Sequence, residues 1–408
     1  MASIYYGWWI VIACFFIGFY VVGPLFYGFT AFFEPIVEEF GWSYTQVSIA
    51  FSLRGVEMGM LAPMTGFFVD RFGPRKLAFS GVLIIGFALI LLSLTNSLIM
   101  FYSAFVLLAL GTSGCASTVL MTAIAHWFRR NVGKAMGLVA CGFGAGGILI
   151  PLIVWLIDLY QWRTTLIIFG LGTWALGIPL SFVIRHTPEQ YGYLPDGEIP
   201  AEPTSVHGRR DIEKETNFMD ILKSKHFWMI GVAVTIQTMI IHAVITHVMP
   251  YLGSIGMSRT SAAFVATSIP LVSIIGRFSF GWLSDTFDKR YVLAGLYCLL
   301  SLGTLAFAYV HLKWLIFPFL LLFPASFGGA LSVRGAIVRE YFGRASFGRL
   351  FGIIMGITAI GGVIGPSVAG WSFDTLGSYH SVWLWFAGTI VIAIVLILWL
   401  PPRQMSEE

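Results

Sequence analysis

Six ionisable residues sit inside stretches that are otherwise apolar. Arg54 and Glu57 lie in FSLRGVEMG, His242 and His247 in IIHAVITHVMP, Arg277 in SIIGRFSF and Arg334 in LSVRGAIV. A charge at the centre of a membrane helix costs about 2.5–3.5 kcal/mol on insertion scales, so such residues face a protein interior or a water-filled cavity. Arg277 has no acid nearby in its own stretch. Its planar guanidinium matches a carboxylate bidentately, so a bound anion would supply the countercharge; the other reading is a pair with Glu57. Arg54 and Glu57, three residues apart, share one helical face. They form a self-neutralising pair, or Glu57 carries a transported proton, or Arg54 is a second cation for the substrate. Arg334 suits an inward vestibule or gate, or snorkels to the interface. His242 and His247 titrate near neutral pH when unperturbed, which makes them candidate proton carriers; the alternative is hydrogen-bonded packing.

The elements that must position these residues are long and greasy. Hydrophobic residues make up 57% of the 408-residue chain and charged residues 11%, against about 25% charged in soluble proteins. Twelve apolar stretches, from 7–33 to 379–400, are each long enough to cross a bilayer as a helix. They lack the polar alternation of barrel strands, so an all-α integral membrane protein with twelve transmembrane helices is expected.

The chain also repeats itself. Gly66, Asp70, Phe72 and Arg75 in GFFVDRFGPR recur 215 residues later as Gly281, Asp285, Phe287 and Arg290 in GWLSDTFDKR, and Gly137, Gly147 and Pro151 return as Gly352, Gly362 and Pro366. A shared offset in separate regions marks two copies of one unit. The expected organisation is two pseudo-symmetric six-helix halves, 1–184 and 226–408, joined by a polar linker at 185–225 that ends in a short amphipathic helix. The glycine-rich segments 137–147 and 352–362 offer small faces for close helix packing, at a domain interface or an equivalent seam. The membrane charges break the repeat: Arg54, Glu57 and Arg277 correspond to Ile269, Val272 and Ala62.

Of 24 Lys and Arg, 18 fall on the side holding both termini and the linker, which places that side in the cytoplasm. The net charge of +4 reflects these loops and gives no argument for nucleic-acid binding. The N-terminal apolar run lacks a preceding basic region and a small-residue cleavage site, so it reads as a retained span. Cys14, Cys115, Cys141 and Cys298 have no metal-ligand spacing, and no phosphate-binding GxxxxGK[ST] occurs. No metal or cofactor is expected, and uphill transport must draw on an ion or solute gradient.

At GFFVDRFGPRK and GWLSDTFDKR the chain resembles the major facilitator superfamily. There the Asp and Arg of such loops latch the cytoplasmic ends of neighbouring helices, which assigns Asp70, Arg71, Arg75, Asp285 and Arg290 to a gating motif. YYGWWIVIACFF, HWFRRNVGKAMGLVACGFGAGG and IIGRFSFGWLSD are similar to the monocarboxylate porter group, which includes the oxalate/formate antiporters and the proton-linked lactate and pyruvate carriers. The resemblance implies that Arg277 holds the substrate carboxylate, with Tyr27 and Phe327 (ahead of Gly328 and Gly329) beside it. Three family features are missing: the second cation of the oxalate antiporters is Thr358 here, the aspartate four residues before the span-eight arginine in lactate carriers is Ser273, and the span-one lysine of those carriers has no counterpart.

The expectation is a multi-pass, non-enzymatic secondary transporter in the plasma membrane, both termini cytoplasmic. It would carry a lactate- or pyruvate-like monocarboxylate as a monomer, by proton symport and alternating access. Exchange of carboxylate anions, a counter-anion replacing the proton, is the alternative, and efflux of hydrophobic compounds ranks third.

Overall fold

The computed structural model describes residues 5–128, 131–193, 218–342 and 347–401. Among the described residues the elements are helical. Ten segments are long and apolar enough to cross a membrane. One of them, Lys134–Val183, is broken at Gln161, whose φ of 65° is non-helical. Tyr44–Phe72 is a further helix of 29 residues. Taking that break as a turn between two spans, and Tyr44–Phe72 as a span, reconciles ten segments with the expected twelve.

The first apolar run is not one regular helix. Helix α1 (Tyr6–Val22) passes through a π-helical turn, Gly23–Tyr27, before α2 (Phe29–Phe40). Pro24 lies in that turn and withholds a backbone donor, one of the few recognised causes of such an irregularity. Helix α3 is Tyr44–Phe72 and α4 is Pro74–Ser93. Between them Gly73 adopts φ 80°, a left-handed conformation open to glycine, and Pro74 starts the next helix. Helices α5 (Leu98–Gly114), α6 (Ser117–Trp127), α7 (Val132–Ala145) and α8 (Leu149–Val183) follow. The six-residue α9 (Phe218–Lys223) falls where the amphipathic segment was expected.

After it come α10 (Lys225–Ser254), α11 (Arg259–Thr286), α12 (Lys289–Ala308), α13 (Ile316–Phe342), α14 (Phe347–Leu376) and α15 (His380–Leu398). Ser224, Ser258 and Asp288 cap α10, α11 and α12 with side-chain oxygens on backbone N–H groups. The two copies of the repeated motif therefore turn differently: the first through Gly73-Pro74, the second through the Asp288 cap.

By internal contacts the chain divides into two units, Met1–Phe32 with Met60–Ile212, and Phe33–Gly59 with Glu213–Glu408. Within the first, a Cβ on Gly142 would meet the Phe15 carbonyl at 2.6 Å and one on Gly146 the Phe19 carbonyl at 2.9 Å, so α7 lies directly on α1. Within the second, Gly361 and Gly365 bring α14 still closer to the Thr235 and Met239 carbonyls of α10. Gly146 and Gly361 are 215 residues apart, so the repeated small faces form matching seams, one inside each unit.

Candidate functional site

In the second unit, glycines fix the ground around Arg277. Gly276 and Gly328 press α11 and α13 together so closely that a Cβ on either would overlap the Ala325 or Ser273 carbonyl. The Ser332 hydroxyl donates to the Arg277 carbonyl at 3.1 Å, tying the two helices at that level. Arg277 is half-buried, while Phe327, one residue before Gly328, is buried. Tyr27 is buried in the π-helical turn, edge-on to Phe26 with ring centroids 5.1 Å apart, and belongs to the first unit.

Arg334 lies two residues beyond Ser332 and is 5% exposed. Its Nη2 donates to Gln237 Oε1 of α10 at 3.4 Å, and its Nη1 faces Met355 Sδ of α14 at 3.4 Å. The Tyr297 phenol of α12 lies within electrostatic reach of the guanidinium. No carboxylate among the described residues bonds this buried cation. Helix rise puts Arg277 ~13 Å and Arg334 ~12 Å from the ends of their helices, at comparable depth.

The histidines occupy a different level. His247 is fully buried, with Nε2 3.0 Å from both Ser48 Oγ and the Pro366 carbonyl and Nδ1 3.0 Å from Tyr379 Oη. The Pro366 carbonyl only accepts, so Nε2 carries hydrogen. Ser48 gives its own hydrogen to the Tyr44 carbonyl at 2.6 Å and can accept from Nε2. Nδ1 then accepts from Tyr379. A neutral ring satisfies every partner. His242 packs against Gly362, where an added Cβ would stand 3.0 Å from Nδ1, with its ring 6.4 Å from that of Phe51.

Near this cluster the first turn of α3 is held by Asp374 of α14. Asp374 Oδ1 accepts from the Tyr44 backbone N–H at 2.9 Å, and Oδ2 from the Thr45 N–H at 2.8 Å and the Thr45 hydroxyl at 2.5 Å. Two turns further on, the Ser52 hydroxyl donates to the Val363 carbonyl at 2.8 Å. The opening segment of α3, which precedes the first copy of the motif, is thus bonded to helices from the far end of the chain.

Of the motif residues, Arg290 is buried and makes a double contact. It pairs with Asp288 at 2.6 Å, and its Nη1 donates to the Leu400 carbonyl just past the end of α15 at 2.6 Å. That guanidinium holds the Asp288 carboxyl below the ordinary carboxylate range. Arg71 is exposed and stacks over Phe72 at 5.7 Å, and Arg75 over Phe182 at 5.0 Å. The side chains of Arg54, Glu57, Asp70 and Asp285 lie outside the described residues.

Gln237, Tyr297, Ser48, Tyr379 and Asp374 were not singled out in the sequence. Only Gln237 carried a local signal, as a lone amide in the apolar run of α10.

Long apolar helices, a duplicated unit and charges buried between helices define a multi-pass membrane transporter. The model of the Major Facilitator Superfamily matches residues 8–333 and 238–408, and the chain belongs to that family. It is a transporter, therefore, and not an enzyme. Similar curated proteins include "Monocarboxylate transporter 12" of Xenopus laevis, 24% identical over 96% of this chain and 88% of the relative. "Uncharacterized MFS-type transporter YcxA" of Bacillus subtilis (strain 168) is 26% identical over 86% of this chain and 85% of the relative. Among solved structures, the nucleoside transporter NupG superposes with a TM-score of 0.76 at 12% identity, covering 96% of this chain and 99% of its own. A bacterial homologue of the human lysosomal transporter Spinster superposes at 0.73 and 16%, covering 97% of this chain and 96% of its own. Those two likenesses establish the fold alone.

Proposed function

We propose that this chain carries a small lactate- or pyruvate-like monocarboxylate across the cytoplasmic membrane by proton symport. The observation that carries the reading is a pair of guanidiniums, Arg277 and Arg334, at comparable depth on the glycine-sealed helices α11 and α13. A buried cation is stabilised by a bound anion, and a carboxylate fits the guanidinium fork. Relatives named monocarboxylate transporters, aligned over 96% of the chain, support the same substrate class.

In this reading Arg277 holds the carboxylate, Phe327 and Tyr27 shape the apolar side of the substrate path, and Arg54 is available as a second cation. The halves 1–184 and 226–408 rock about the site as a monomer, with 185–225 as a cytoplasmic tether beside both termini. Arg71, Arg75 and Arg290, with Asp70 and Asp285, brace the cytoplasmic ends. Glu57 carries the proton, because the hydrogen bonds of His247 are complete with a neutral ring. His242 is the second candidate.

The test is pyruvate uptake into proteoliposomes with a pH dye inside. Symport acidifies the lumen and runs without internal substrate. Uptake that requires internal carboxylate and leaves the lumen pH unchanged would establish exchange instead. Glu57→Gln is expected to abolish pH-driven uptake while preserving pyruvate–pyruvate exchange; retained pH-driven uptake would remove Glu57 from the mechanism.

A further inference from the structure

Three buried polar atoms around Arg334 have no hydrogen-bond partner: Arg334 Nε, Gln237 Nε2 and the Tyr297 hydroxyl. They come from three helices, α13, α10 and α12. Each can donate. Gln237 points its oxygen at the guanidinium, which fixes its amide orientation and leaves two N–H groups unused. The two contacts Arg334 does make are both 3.4 Å long, beyond the 2.7–2.9 Å of strong charge-assisted bonds. Buried donors left unsatisfied are rare in native proteins and call for a missing partner. Here the missing partner must accept several hydrogen bonds and carry negative charge.

Gln237, Tyr297 and Arg334 lie 12, 8 and 8 residues from Lys225, Lys289 and Phe342, the near ends of their helices. At 1.5 Å per residue the cluster is ~12–18 Å deep, near the middle of a hydrocarbon core about 30 Å thick. Access is short. Met355 is 37% exposed, and its flexible thioether is what covers Nη1.

We propose that Arg334, Gln237 and Tyr297 form a second carboxylate site, separate from Arg277, which the transported anion occupies once Met355 swings aside. The proposal rests on the carboxylate reading above and extends it: Arg334 is a binding residue as well as a gate. A substrate would meet two cations on adjoining helices, Arg277 and then Arg334, on its way through the second unit.

The experiment is titration of the full-length, detergent-purified protein with sodium pyruvate, and separately with sodium chloride, paired with thermal unfolding of the ligand-free protein. Two sites predict two pyruvate equivalents bound per protein, one lost in Arg277→Gln and the other in Arg334→Met. Tyr297→Phe deletes a donor that is orphaned without ligand and, in the Arg277→Gln background, should weaken the remaining pyruvate site about tenfold, the value of one hydrogen bond to a charged group, without lowering the ligand-free melting temperature. Arg334→Met in that background should weaken the remaining site more than a hundredfold, also without loss of ligand-free stability, because an uncompensated buried charge is removed. Gln237→Leu should weaken the same site but also takes the acceptor from Arg334 Nη2, so its ligand-free melting temperature should fall. A single pyruvate equivalent, abolished by Arg277→Gln and bound with wild-type affinity by Tyr297→Phe and Arg334→Met, overturns the second site and leaves the monocarboxylate reading intact. Chloride binding that these variants weaken, with no pyruvate binding by the wild type, overturns the carboxylate assignment and the proposed function together.

Discussion

Replacing Asp374 by alanine isolates the contact that docks the start of α3 on α14. The substitution removes three hydrogen bonds to one carboxylate, from the backbone N–H groups of Tyr44 and Thr45 and from the Thr45 hydroxyl. Asp374 is exposed, so their full in-protein strength does not apply; water reaches the freed donors. The comparable loss is that of a helix N-cap, about 1 kcal/mol with a range of 0.5–2, plus 0.3–1 kcal/mol for a negative charge at the positive end of the helix dipole. The sum is roughly 1–2 kcal/mol, a shift of about 5- to 30-fold between docked and undocked α3. The tie of Ser48 to His247 is unchanged. Ser52 reports on docking because its side chain is 1% exposed. In a background lacking the native cysteines, Ser52→Cys should react slowly with a membrane-impermeant maleimide, and adding Asp374→Ala should raise the rate about tenfold. Asp374→Asn, which keeps one acceptor, should fall between. A change of less than twofold, in protein whose melting temperature is unaltered, would refute the idea that this carboxylate holds α3 in place.

Gly328→Ala should sharply lower the yield of folded protein or its melting temperature, because the new methyl group overlaps the Ser273 carbonyl and overpacking of this kind costs about 1–3 kcal/mol or more; Gly335→Ala, with open space around it, is the control and should change neither. Arg290→Ala should free the end of α15 by removing the bond to the Leu400 carbonyl, seen as faster backbone hydrogen exchange at 396–400, with no change if that bond is incidental. Because Asp288 titrates below the ordinary carboxylate range in the folded protein, the stability it contributes is present above the unfolded carboxylate pKa and lost as pH falls through the lowered folded one. Asp288→Asn should therefore lower stability at neutral and alkaline pH, flatten the acid limb and converge on the wild type at low pH, measured as melting temperature against pH; a wild-type profile would show that the carboxylate contributes nothing.

Much of the architecture was legible because it is written locally. Apolar runs of membrane length and the 215-residue offset are patterns along the chain, and they announced the helices and the duplication. The glycine segments around Gly146 and Gly361 were visible as small faces, although only coordinates could place them against α1 and α10. Other features hide for a physical reason: they join residues remote in sequence. Asp374 caps a helix that begins 330 residues earlier, and Gln237, Tyr297 and Arg334 lie on three separate helices. No local periodicity encodes either. The break at Gln161 and the π-helical turn at Gly23–Tyr27 interrupt runs whose composition continues unchanged, so hydropathy alone reads through them. His247 stood out as a titratable group in an apolar stretch; its three hydrogen bonds, to Ser48 of α3, Pro366 of α14 and the N-cap residue Tyr379 of α15, explain how a polar ring is accommodated there.

The central claim, a carboxylate held by a membrane-embedded arginine, meets its most direct test in saturable uptake of radiolabelled pyruvate by proteoliposomes under an inward proton gradient, measured for the wild type, Arg277→Lys and Arg277→Gln. Concentrative uptake is expected for the wild type, with at least a tenfold rise in the half-saturating concentration for Arg277→Lys, which keeps charge but not the fork, and no specific uptake for Arg277→Gln. Wild-type protein that moves no monocarboxylate, or Arg277→Gln that transports as well as the wild type, would contradict it.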